Sequence, residues 1–275
     1  MAGFQIDAII GPIMGYLLIS LLASIAGAIS GIGGGVIIKP VLDTLSPFDV
    51  VTISFLSGTT VFSMSVVTLI RNRKSEVNLN RATAGLLAAG SIAGGLTGKC
   101  VFDLVKIRVE QIAYVTLIQS ALLILLTLFV FVFTLKKESI TPRHNHRISV
   151  TLLIGFILGC LASFLGIGGG PINLAILYFF FSMDSKTAAL NSIYIIFFSQ
   201  ITNLIFTTLS GRIPDFDPPI LAMMIGGGIM GGMIGSHFSR KMSHRAVDRL
   251  FMGVMAVIIA ICCYNFAGSA LLILS

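Results

Sequence analysis

The chain has 275 residues, of which 56% are hydrophobic and 11% charged, with a mean hydropathy of +1.00. Soluble domains carry about 25% charged residues, so this composition excludes an ordinary soluble fold. The net charge of +7 is what the Lys and Arg of cytoplasmic loops leave on a multi-pass protein, and with no basic patch interleaved with aromatics it gives no nucleic-acid reading.

In chain order, the opening MAGFQIDAII lacks the basic start of a cleaved signal, so the first apolar segment is expected to stay in the mature protein. That segment ends in Gly31-Ile-Gly-Gly-Gly35. The apolar stretch 36–46 that follows predicts only about 16 Å of helix, half a bilayer. A basic loop holds Arg71, Arg73, Lys74 and Arg81, and the next segment carries Gly94, Gly95 and Gly98. The runs 112–135, 149–165, 188–209 and 246–274 are each near or above the roughly 20 residues that cross a hydrocarbon core. Ten-residue alternation of apolar and polar residues is absent, which sets aside a membrane β-barrel.

Internal repetition is the most informative feature. Gly31–Gly35 returns as Gly166-Ile-Gly-Gly-Gly170, an offset of 135 residues, and the same offset aligns Asp49 with Asp184, Thr52 with Thr187 and Ser57 with Ser192. Gly94, Gly95 and Gly98 answer to Gly231, Gly232 and Gly235. Residues 1–137 and 148–275 therefore read as two homologous halves joined by a polar linker, 138–147. The charge bias switches between them. The counterpart of the Arg71 loop is the acid-leaning segment 211–217, and the basic loop of the second half holds Arg240, Lys241, Arg245 and Arg249. Such a switch is the mark of an inverted-topology repeat with an odd number of crossings per half. The fold class expected is thus an all-α polytopic membrane protein, each half a re-entrant Gly-rich hairpin plus three transmembrane helices. A parallel arrangement with four spans per half is the competing model, and it sets the Arg240 loop against the charge rule.

Unwound backbone at membrane depth survives only where protein buries it or it lines a cavity, so two Gly-rich breaks in corresponding places point to a transport site. Glycine accepts positive φ and close approach of a ligand to the main chain. The helix starts beyond each break aim N–H groups and positive dipole ends at the tip, a preference for anions. The expected substrate-binding set is Gly31, Gly33, Gly34, Gly35, Gly166, Gly168, Gly169 and Gly170. Lys39, deep in an apolar run, adds electrostatic attraction, or else snorkels to an interface. Its counterpart is Leu174, beside which Asn173 offers a neutral polar group. Ser192, Ser199, Asn203 and Thr207 share one helical face, with Ser57 and Thr68 matching Ser192 and Asn203; Ser57, Ser192 and Asn203 join the set, although such residues also serve as glue between helices. Gln119 and Gln200 are weaker members of the same kind. Gly94, Gly95, Gly98 and their partners read as packing residues.

No catalytic, metal or cofactor site emerges. The cysteines Cys100, Cys160, Cys262 and Cys263 have no C-x-x-C spacing and read as small packing residues. Neither a P-loop nor a complete dinucleotide fingerprint is present, and His144, His146, His237 and His244 lack zincin spacing. The acids fall in loops or near segment ends, with Asp43 the doubtful case, so a carboxylate relay has little material. A membrane enzyme and an accessory or structural membrane subunit are the alternatives to a transporter; the doubled glycine break is what favours transport.

On the duplicated G-x-G-G-G segments, each following a helix rich in small residues, the chain resembles the sulfite exporter TauE/SafE family along essentially its whole length. That resemblance implies a multi-pass protein of the bacterial inner membrane. Its partners would be the lipid bilayer and a small anionic substrate such as sulfite, a sulfonate or another sulfur oxyanion, moved without ATP hydrolysis. One departure is Val36 where the second copy has Pro171.

Overall fold

A chain this apolar must satisfy its backbone polar groups within each segment, which leaves helices as its elements. The computed structural model describes residues 2–73, 81–108, 112–142, 147–167 and 169–274, and these residues form ten α-helices with no strand. Before the linker come α1 (Ala2–Ser30), α2 (Gly35–Leu45), α3 (Val50–Asn72), α4 (Arg81–Arg108) and α5 (Ile112–Leu135). After it come α6 (Ile148–Leu165), α7 (Pro171–Phe181), α8 (Ser185–Leu209), α9 (Pro218–Lys241) and α10 (His244–Leu274). Seven of them, α3 to α6 and α8 to α10, are long and apolar enough to cross a membrane. At 11 residues each, α2 and α7 reach about 16 Å.

Local chemistry sets the starts of these helices. Asp49 caps α3 by accepting from the Thr52 amide at 2.9 Å, and its counterpart Asp184 caps α8 by accepting from the amides of Lys186 and Thr187, both at 3.1 Å. Pro171 and Pro218 open α7 and α9, where a missing N–H does no harm.

The packing repeats itself. α1 lies along α9 as α6 lies along α4; α3 touches α9 as α8 touches α4; α2 sits between α3 and α10 as α7 sits between α8 and α5; and α3 meets α8 while α5 meets α10. Small residues allow the long seams: a methyl group on Gly94 would stand 1.9 Å from the Phe156 carbonyl oxygen, and one on Gly98 2.3 Å from that of Cys160. On α9, a methyl on Gly231 would stand 2.5 Å from Cβ of Ser24 and one on Gly235 2.7 Å from the Ile25 carbonyl oxygen. These glycines are packing residues, as their spacing predicted. The cysteines are less uniform than expected, since only Cys262 is fully buried while Cys100 and Cys263 are exposed on the bundle's surface.

α3 and α8 run in opposite directions, as do α5 and α10. Thr52, at the start of α3, donates to the Asp215 carbonyl beyond the end of α8 at 3.1 Å. At the other end of α3, Asn72 shares a cleft with Lys186, near the start of α8, and with Arg240, at the end of α9. Lys137, just past α5, pairs with Asp248 near the start of α10. The bundle accordingly has one face carrying Arg71, Lys137, Lys186 and Arg240, and an opposite face carrying Asp49, Asp103 and Asp215 with Lys99, Lys106 and Arg212.

Candidate functional site

The two glycine breaks are where the chain turns back inside the bundle. Gly31 and Gly166 take left-handed φ of +80° and +67°, which a residue with a side chain rarely adopts. The contacts they make are related by the same repeat. A methyl on Gly31 would stand 2.3 Å from Cα of Ala189, and one on Gly166 2.4 Å from Oγ of Ser54, itself 135 residues before Ala189. Gly33 and Gly169 both abut Ile196, about halfway along α8. Gly35 lies so close to the second tip that a methyl on it would be 2.2 Å from the Ile167 carbonyl oxygen. Gly168 lies outside the described residues. The return limbs α2 and α7 have the expected half-bilayer length, and the leading limb α6 has 18 residues and counts among the spans, as the apolar run 149–165 predicts. Gly90, Gly94 and Gly98 of α4 pack against α6 from Leu152 to Cys160.

A cavity of about 690 Å³ opens on the Asp49 face between α3, α4, the end of α8 and residues 210–215. Its charges are interlocked: Arg212 Nη1 donates to Asp103 Oδ2 at 2.8 Å, and Lys99 Nζ lies 3.9 Å from Asp103 Oδ1. The cavity shares Val51, Lys99, Thr207 and Pro214 with a narrower space of about 40 Å³, which runs inward past Ser54, Gly58, Ser163, Gln200 and Asn203 to Gly166. In this throat Ser163 Oγ donates to Asn203 Oδ1 at 2.9 Å. Clefts on the opposite face hold about 30 and 20 Å³. An open mouth thus narrows to hydroxyl and amide groups and ends on the backbone of the second hairpin tip.

Lys39 is 2% exposed, as its place in an apolar run implies, but it is not a lone charge. Its Nζ lies 2.8 Å from Oδ2 of Asp43, one turn along α2, and the two side chains are 3% and 6% exposed. Asp43 is therefore an interior carboxylate and not a loop acid. Lys39 also crosses to the other hairpin, its Cε being 3.3 Å from where a methyl on Gly166 would sit. Of the expected polar set, Asn203 and Thr207 line the throat, while Asn173 and Ser192 bond to each other at 3.3 Å, fully buried. The Ser57 and Ser199 hydroxyls are buried and make no hydrogen bond among the described residues.

Sequence reasoning missed Lys99, Lys106, Arg212, Ser163 and Gly58. For Lys99 a signal existed, since a lysine four residues before Asp103 in an apolar run is an i,i+4 pair inside a span. For Arg212 none did, because only tertiary contact brings its loop to α4.

Helices of membrane length, paired glycine-broken hairpins and a polar cavity closing on the second of their tips define a multi-pass membrane protein of the transporter class. The family model for the sulfite exporter TauE/SafE matches residues 16–261, and the chain belongs to that family. Over 260 residues it is 25% identical to the probable membrane transporter protein YunE of Bacillus subtilis (strain 168), an alignment covering 88% of this chain and 94% of that relative. No solved structure matches the chain.

Proposed function

We propose that this protein carries small anions, sulfur oxyanions among them, across a bacterial inner membrane without hydrolysing ATP. The halves 1–137 and 148–275 act as inverted repeats, each one hairpin and three full spans. The face with Arg71, Lys137 and Arg240 is the cytoplasmic one by the positive-inside rule. The 690 Å³ cavity then opens to the far side of the membrane.

The observation that carries this reading is the continuity of that cavity with the throat ending at Gly166. Arg212 and Lys99 meet the anion at the mouth; Ser163, Gln200 and Asn203 then offer neutral hydrogen bonds that can replace water without demanding a counter-charge. Rocking of one repeat against the other around the tips would expose the same groups to the cytoplasm.

The test is flux of sulfite and sulfate into liposomes holding the purified protein. Asn203→Leu and Gln200→Leu are expected to lower flux by about tenfold or more, on the scale of one or two lost polar contacts of about 1.5 kcal/mol each, while the protein elutes as wild type. Flux equal to wild type in both variants would remove the throat from the route.

A further inference from the structure

We infer that the buried Lys39–Asp43 pair couples anion movement to a proton, with Asp43 as the proton site; this rests on the transport reading above. As it stands the pair is neutral, a lysine and a carboxylate 2.8 Å apart, 3% and 6% exposed. Only Oδ2 of Asp43 is engaged. Its Oδ1 is buried and makes no hydrogen bond among the described residues. An ionised carboxylate is an acceptor with two oxygens to satisfy, and this one has a partner for only one of them among the described residues.

Charge balance then links the proton to the anion. Adding a monovalent anion to the intact pair would leave a net negative charge in a low-dielectric interior, which is strongly unfavourable. Protonating Asp43 first releases Lys39 as an unpaired cation, and a monoanion at Lys39 restores neutrality. One proton binds the carboxylate as the anion enters and returns to water as the anion leaves.

Geometry supplies the path. Lys39 Cε packs against Gly166, which lines the inner end of the throat together with Ser54, whose hydroxyl shares the space over that glycine. From α10 the Cys262 thiol faces the pair, and Asn265 Nδ2 holds the Pro40 carbonyl at 2.8 Å. Beside the pair on α2, Ile38 and Leu42 share an apolar cluster with Tyr16 of α1 and with Ile53 and Leu56 of α3. The second hairpin has no equivalent, with Leu174 and Tyr178 at the corresponding places. One hairpin therefore carries the coupling for both.

The experiment uses liposomes with methanesulfonate, a monoanion that stays ionised across the working pH range, and a trapped pH-sensitive dye. Two quantities are read: exchange of labelled methanesulfonate at equal pH, and its accumulation under an inward proton gradient. Wild type is expected to exchange, to accumulate under the gradient, and to acidify the lumen as it does so. Asp43→Asn should still exchange but lose both gradient-driven accumulation and lumen acidification. Should that variant fold poorly, Lys39→Met/Asp43→Leu removes both charges together, a change buried pairs tolerate; it is expected to lose gradient-driven accumulation and acidification. Accumulation by wild type without acidification, or an Asp43→Asn or double variant that still acidifies, would overturn the coupling and leave the transport reading standing. Failure of wild type to exchange methanesulfonate, sulfite or sulfate would remove the transport reading and this inference together.

Discussion

Asp184 shows how one residue can hold a helix and respond to pH. It caps α8, and its Oδ2 also accepts from the Thr187 hydroxyl at 2.7 Å while His244 Nδ1 stands 3.1 Å from Oδ1. Burial works to raise its pKa, but the bonds from Thr187, the His244 charge and the Lys186 amide outweigh that and hold the carboxyl below its usual range. A pKa lowered in the folded state means stabilisation that is fully present above the ordinary carboxylate value of about 4 and is lost as pH falls through the lowered value. Asp184→Ala should therefore destabilise the protein by about 1 kcal/mol at neutral pH, the worth of an N-cap. Melting temperature in detergent against pH is the check, and the difference from wild type should vanish on the acid side. The pairing of Asp49 with Asp184 was legible in the sequence as part of the repeat, and their capping of α3 and α8 is seen in the structure. The Lys39–Asp43 pair was legible only in part: the lysine stands out in its run, whereas the partner's burial depends on α10 and the apolar residues of α1, α3 and α9 around α2.

Among the elements, the short helices and the glycine seams have separate consequences. α4 and α6 meet backbone to backbone, so Gly94→Val would drive a side chain into the Phe156 carbonyl 1.9 Å from its first carbon. Overpacking of this kind costs about 1–3 kcal/mol, and the expected outcome is a lower melting temperature with loss of flux through loss of the bundle. Gly85 is a control on the same helix, with nothing near where its methyl would be; Gly85→Ala should leave both unchanged or raise stability slightly. The repeat was readable from glycine spacing and the length of α6 from its apolar run, but which helix the α4 glycines pack against was not, because that depends on the faces that meet in the bundle.

For the whole molecule the decisive property is direction. α3 and α8 occupy corresponding places and run oppositely, so residues at corresponding loops should face opposite aqueous phases. Single cysteines replacing Arg73 and Ser210, at the ends of α3 and α8, in a background without Cys100, Cys160, Cys262 and Cys263, should react with a membrane-impermeant thiol reagent from opposite sides of sealed vesicles. Labelling of both from one side would overturn the inverted arrangement. This test is independent of substrate, since it reads topology alone.

What the sequence determined by itself was the class of protein, the two-fold repetition and the places where helices break. Those follow from hydropathy, spacing and the conformational freedom of glycine, all properties of residues taken locally. Tertiary structure alone decided which polar groups share a cavity. Arg212 meets Asp103 across 109 positions, and Ser163 meets Asn203 across 40. It also decided that Lys39 has a partner and lies against Gly166 of the other hairpin. The physical reason is that a bilayer makes nearly every span apolar, so the few polar residues carry little local pattern. Their meaning depends on which helix faces they share, and those faces are set only when the two hairpins interlock.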